Sequence, residues 1–153
     1  MSRGVKNKGK YNIDELTAQS LIEEPSRAYA FHNFDLIRLS RQGVLKKTLL
    51  QLAEKLSFTL PEISGILHIS ERTLQRYKDK DTLASDASER ALLLAQLYNK
   101  GISVFGTVEN LNDWLRTPLP AFQQQAPVKY LDTAFGFQLI SDELGRIQHG
   151  IFA

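Results

Sequence analysis

Apolar residues recur at helical spacing along most of this chain. Leu45, Leu49, Leu52 and Leu56 fall at i, i+4, i+7 and i+11, one face of a helix. Leu94, Leu97, Tyr98, Ile102 and Phe105 form a second stripe, and Val108, Leu111, Trp114 and Leu115 a third. Phe137, Ile140, Leu144, Ile147 and Ile151 make a fourth, close to a heptad seam. No run alternates apolar and polar residues with the period of two that a half-buried strand requires. The pattern predicts an all-α fold.

Local signals place the helix ends. Thr59 and Glu62 have capping-box spacing, and Pro61 in the first turn costs no hydrogen bond, so a short helix is predicted over 60–67. Ser70 opens a second over 71–78, which the charged turn Lys78-Asp79-Lys80-Asp81 ends. Ser85, or Asp86 with Glu89 three residues on, caps a long helix that reaches Gly106. Gly101 inside that helix costs about 1 kcal/mol relative to Ala, which points to a kink or a close helix contact. Thr107 restarts a helix that Thr117-Pro118 ends, and PLPAFQQQAP reads as loop. Pro127 opens a short helix through Leu131, and Thr133 caps the last one. Upstream, Leu16, Leu21 and Ile22 share a short helix interrupted by Pro25. Phe31, Phe34, Leu36, Ile37 and Leu39 cluster ahead of Gly43, predicting a helix over 33–41. The chain divides into a basic arm (1–12), an N-terminal helical region (13–82) and a C-terminal module (83–153), with a boundary near 81–85.

Charge refines the picture. The formal net charge is only +2, but it is uneven. Arg3, Lys6, Lys8 and Lys10 crowd the first ten residues without an acid, whereas the chain from Gly106 onward is mildly acidic. The arm is either a solvated tail or a source of extra phosphate contacts. There is no cysteine, which excludes disulfides and thiolate chemistry. No run approaches the roughly 20 apolar residues of a membrane span, and no apolar stretch follows the basic start, so a cytoplasmic protein without a membrane role is expected. His32, His68 and His149 lie in unrelated segments without metal-ligand spacing. No Gly-rich phosphate loop or G-x-S-x-G elbow occurs, and Asp142 and Glu143 point to different helix faces. The expectation is a non-enzyme with no metal, cofactor or catalytic residue.

LPEISGILHISERTLQRY, residues 60 to 77, fits a helix-turn-helix within 60–78. Ile63, Leu67, Ile69, Leu74 and Tyr77 pack inward, and small Ser64 lies where the helices approach. Ser70, Glu71, Arg72, Thr73, Gln75, Arg76 and Lys78 are then the candidate DNA-binding set. Arg suits guanine edges, Gln adenine and Glu cytosine, and the lysines suit phosphates. The competing reading is an αα-hairpin with a solvated second helix. His68 stands where such turns usually carry Gly, in a left-handed conformation that His tolerates better than most residues.

The C-terminal wording carries a resemblance. Ser88-Glu89-Arg90, Val104-Phe105-Gly106, Trp114-Leu115 with Pro118, Pro127-x-x-Tyr130-Leu131-Asp132-Thr133 and Arg146-Ile147-x-x-Gly150-Ile151-Phe152-Ala153 follow one another in order. Together they resemble the toxin-binding domain of the Xre/MbcA/ParS antitoxin family, and SERTLQRY resembles the helix-turn-helix of Xre antitoxins. Where relatives commonly read Asn-x-Ala-Leu-Gly-Gly, this chain has Leu119-Pro120-Ala121-Phe122-Gln123-Gln124, so a different loop backbone is expected. Gly136 matches the pattern. The resemblance implies a type II antitoxin that covers the active site of its toxin with its C-terminal end. In the RES–Xre branch the toxin consumes NAD; in the ParS branch it is a related ADP-ribosylating enzyme. It also implies operator binding, usually as a homodimer. The implied toxin contacts are Arg146, His149, Gly150, Ile151, Phe152 and Ala153 with the terminal carboxylate. A stand-alone transcriptional regulator is the alternative. Trp114 reads as core, with an interface role as the second reading.

Overall fold

The structure, a computed structural model, describes residues 17–23 and 33–150 of the 153. The basic arm, Leu16, Pro25, Phe31, His32 and the tip Ile151-Phe152-Ala153 lie outside the described residues. Within them the fold is all-α: α1 (Ala18–Glu23), α2 (Asn33–Gln42), α3 (Lys46–Lys55), α4 (Leu60–Leu67), α5 (Glu71–Arg76), α6 (Ser85–Phe105), α7 (Val108–Leu115) and α8 (Ala134–Gln148). Among the described residues the only β-type pairings are two isolated bridges, Leu45 with Thr82 and Leu119 with Gln125.

The 21-residue α6 is the axis of the molecule. It buries Leu94, Leu97 and Tyr98 as the stripe requires, and also Ala87, Ala91, Leu92 and Ala95. The second set exists because α6 is covered from both sides. α1, α2 and α4 pack against it on the N-terminal side, and α7 and α8 on the C-terminal side. One apolar core therefore runs from Leu21 to Leu144. Gly101 marks a close approach: a Cβ there would lie 2.6 Å from Cδ2 of the fully buried Leu111 on α7.

Caps account for most of the helix starts. Thr59 and Glu62 form the full capping box of α4. Ser70, Thr107 and Thr133 each accept from the backbone N–H three residues on, opening α5, α7 and α8. The long helix, like α3 behind Leu45, has no such cap. Its N-cap is Ala84, with no side-chain cap, and Ser85 is already helical. The entry is held by the preceding segment instead: the Leu83 N–H donates to the Val44 carbonyl at 2.8 Å. Buried Ser88 accepts from the Val44 N–H at 2.9 Å and donates to the Leu83 carbonyl at 3.0 Å.

Three further expectations shift. Leu45 precedes α3 and is 41% exposed, because its backbone bridges to Thr82; Leu49, Leu52 and Leu56 are buried as expected. α5 ends at Arg76 rather than 78, since Tyr77 turns extended and the Lys46 ammonium donates to its carbonyl at 2.6 Å. The 118–127 loop is compact, with a 3₁₀ turn over Pro120–Phe122 that buries the Phe122 ring completely. Gln123 (φ 54°) and Gln124 (φ 62°) adopt the left-handed conformation that a Gly pair would take without strain.

Candidate functional site

Two surfaces carry functional candidates. The first is the helix-turn-helix. Ile63, Leu67 and Leu74 are buried, and Ser64 with them, while Ile69 and Tyr77 are half-buried against the core. His68 caps α4 at φ 57° and ψ 36°, the left-handed turn expected of it. Glu71, Arg72, Thr73, Gln75 and Arg76 are all exposed on α5, and Lys78 follows on the adjoining turn. Ser70 accepts from the Thr73 N–H at 3.1 Å, so its hydroxyl is used by the cap. Among the described residues Arg72, Arg76, Lys78 and Lys80 have no carboxylate within ion-pair distance, leaving four cations beside two neutral hydrogen-bonding side chains.

That element is tied to the C-terminal half at two points. At the turn, His68 Nε2 donates to the Asp132 carbonyl at 2.6 Å. The half-buried Arg90 reaches the same carbonyl at 3.4 Å and the Ile66 carbonyl at 3.5 Å. At the start of α4, Arg116 from the end of α7 binds Glu62 at 2.9 Å and the Ser57 carbonyl at 2.8 Å, with its guanidinium over the Phe58 ring. Burial alone would raise the Glu62 carboxyl. The Arg116 hydrogen bond, the Thr59 N–H and the Arg116 charge outweigh it and hold the group below its ordinary value. Neither Arg90 nor Arg116 is recognisable as a bridge from sequence, since each partner lies more than twenty residues away.

The second surface is α8 with the chain beyond it. Phe137, Ile140 and Leu144 are buried in the seam, and Ile147 is half-buried. Arg146 is exposed and pairs with Glu143 at 3.2 Å. His149 is the C-cap, and Gly150 comes next at φ 63°, donating its N–H to the Ile147 carbonyl at 3.2 Å. Gly150 thus ends the helix by a left-handed cap. Arg146, His149 and Gly150 are together at one exposed end of α8; Ile151, Phe152 and Ala153 continue beyond it, outside the described residues. Sequence reasoning passed over Phe135, 89% exposed, and Leu139, 43% exposed, on the outer side of α8. The signal was available: both are apolar residues off the buried stripe, one helical turn apart.

Trp114 is half-buried, edge-on to Phe122 at 5.9 Å and tilted against Phe105 at 5.5 Å, within an aromatic row that Tyr130 continues. The described residues contain no group of three or more His, Cys, Asp or Glu able to hold a metal ion. None of their helices is long and apolar enough to cross a membrane.

A helix-turn-helix locked to a helical C-terminal module defines a bipartite all-α architecture. Comparison with known proteins gives the family. The antitoxin Xre-like helix-turn-helix domain matches residues 35–96, and the antitoxin Xre/MbcA/ParS C-terminal toxin-binding domain matches residues 100–150. The two matches meet inside α6. A Prs ADP-ribosylating antitoxin from Sphingobium sp. is 30% identical over 129 residues, 78% of this chain and 81% of that protein. An antitoxin Xre from Yersinia enterocolitica is 27% identical over 94 residues, 60% of this chain and 64% of that protein. The chain belongs to the Xre/MbcA/ParS antitoxin family, whose members bind a toxin through the C-terminal domain.

Proposed function

We propose that this chain neutralises an NAD-consuming toxin of the RES type by covering its active site with the end of α8 and the residues beyond it. The observation that carries the reading is the match of residues 100–150 to a toxin-binding domain that ends on the exposed Arg146, His149 and Gly150. A cleft that binds NAD phosphates is cationic and partly apolar, and a short apolar segment there excludes both substrate and water. Gly150, at φ 63°, ends α8 with a left-handed cap directly before the last three residues of the sequence. The non-catalytic character of the chain is part of the same reading.

One observation favours a second reading of the toxin's chemistry. The Sphingobium protein matches more of this chain than the Yersinia antitoxin Xre does, and its name refers to ADP-ribosylation of Prs. Both chemistries consume NAD and differ in the acceptor of ADP-ribose. The experiment is co-expression with the toxin of the neighbouring reading frame. Toxin alone should arrest growth and drain NAD, and this chain should restore both. Growth arrest that persists with the chain present would contradict the proposal. ADP-ribose found on a protein rather than in solution would assign the partner to the ADP-ribosylating branch.

The exposed face of α5 supports the further proposal that the chain binds its own promoter as a homodimer. Arg72, Gln75 and Arg76 would read base edges, Glu71 and Thr73 would supplement them, and Lys78 would hold phosphate.

A further inference from the structure

Phe135, Leu139, Asp142, Arg146 and His149 are spaced four, three, four and three residues apart, which sets them on one line along α8, about 20 Å from end to end. The line is opposite to Phe137, Ile140 and Leu144, which are buried on the side where α8 packs against α6 and the 3₁₀ turn Pro127–Tyr130. Its chemistry is graded. The first two positions are apolar, with the Phe135 ring 89% exposed, and the rest are polar or charged. We propose that this outward ridge is a second docking element for the toxin, with the Phe135 ring seated in an apolar recess of the toxin outside its catalytic cleft.

The ridge rests on the antitoxin reading and extends it. Three observations commit it to the toxin rather than to another partner. The ridge lies wholly within residues 100–150, the part of the chain that matches a toxin-binding domain. It is continuous with Arg146 and His149, so a protein engaging the end of α8 lies along the same face. The first turn of α8 is also held rigidly. Thr133 accepts from the Gly136 N–H at 3.0 Å, and Gly136 lies so close to the Tyr130 backbone that a Cβ would overlap its carbonyl oxygen. An aromatic ring presented on a fixed backbone loses little freedom when it is buried, and such rings dominate interface energetics. Tip and ridge then divide the work. The tip blocks catalysis, and the ridge supplies affinity that the cleft alone does not.

The test compares the full chain, its Phe135→Ser/Leu139→Ser variant and a variant lacking residues 150–153, each titrated against the purified toxin. Both substituted side chains are exposed, so circular dichroism and the melting temperature of the double variant should match the parent. Its affinity for the toxin should fall by about 100-fold or more, the loss expected from leaving two apolar side chains out of an interface. The variant lacking 150–153 should bind but leave NAD turnover uninhibited. Unchanged affinity of the double variant overturns the ridge. So does a change from dimer to monomer in light scattering of the free chain with toxin affinity retained, which would assign the face to self-association. Failure of the parent chain to bind the toxin would instead refute the antitoxin reading, and the ridge with it.

Discussion

The same substitution, Gly to Ala, should have opposite effects at two helical positions. Gly65 in α4 has nothing within 4 Å of where a Cβ would lie. Gly65→Ala should therefore show the ordinary propensity gain, about 0.5–1 kcal/mol. Gly136, the third residue of α8, meets the Tyr130 backbone: its Cβ would overlap the carbonyl oxygen and lie 2.6 Å from the carbonyl carbon. Tyr130 cannot easily retreat. Its hydroxyl donates to the Phe122 carbonyl at 2.8 Å, and the next residue, Leu131, is fully buried. Overpacking of this kind costs about 1–3 kcal/mol, towards the upper end when backbone is the obstacle. After the propensity gain the net loss is about 1–2 kcal/mol. For a chain of this size that means Gly136→Ala melting about 2–8 °C lower and Gly65→Ala about 1–4 °C higher. Thermal melts and urea titrations of the three proteins decide it. If Gly136→Ala melts at or above the parent, the tight docking of α8 on the 127–130 turn is wrong, and with it the rigid presentation of Phe135.

Other contacts give further expected outcomes. Glu62 is held below its ordinary value of 4.5, so its pairing with Arg116 stabilises the fold above that pH and is lost as pH falls through the folded value. The stability difference between parent and Glu62→Gln in urea titrations should be full near neutrality and shrink below about pH 4.5; a difference that grows with acidity would reverse the assignment. Gln123→Gly should stabilise by up to about 1 kcal/mol, since relief of a left-handed non-Gly residue exceeds the added chain entropy, and a destabilised variant in urea titrations would count against the strained turn. Replacing Arg72 and Arg76 by Ala should weaken binding to the chain's own promoter by about 1–3 kcal/mol for each base contact at fixed salt. Unchanged affinity in a titration would make α5 structural or assign reading to other residues.

Local chemistry was legible in the sequence. Thr59 with Glu62, Ser70, Thr107 and Thr133 announce their helices because a cap hydrogen bond spans only three residues. The stripes of α3, α6 and α8 were legible because burial on one face imposes a period. Ser85 marked the start of α6 but not what holds it, because a distant strap around Val44 and Ser88 does so and no side-chain cap is needed. The left-handed Gln123 and Gln124 were hidden for a related reason. Their strain is compensated by Phe122, whose complete burial depends on the packed tertiary structure. Among the site residues, the α5 face came from period and cap. Arg90, Arg116 and His68 become bridges only once α7 and the 130–133 segment are folded against the helix-turn-helix. Phe135 and Leu139 were visible as apolar residues on a polar face, and only their exposure gives that a meaning.

If the end of α8 and the residues after it silence an NAD-consuming toxin, removing them must separate binding from inhibition. The decisive quantity is NAD turnover by the purified toxin, titrated with the full chain and with a chain lacking residues 150–153. The full chain should inhibit stoichiometrically, and the shortened chain should leave the toxin bound but active. Equal inhibition by both chains would contradict the proposed mode of neutralisation.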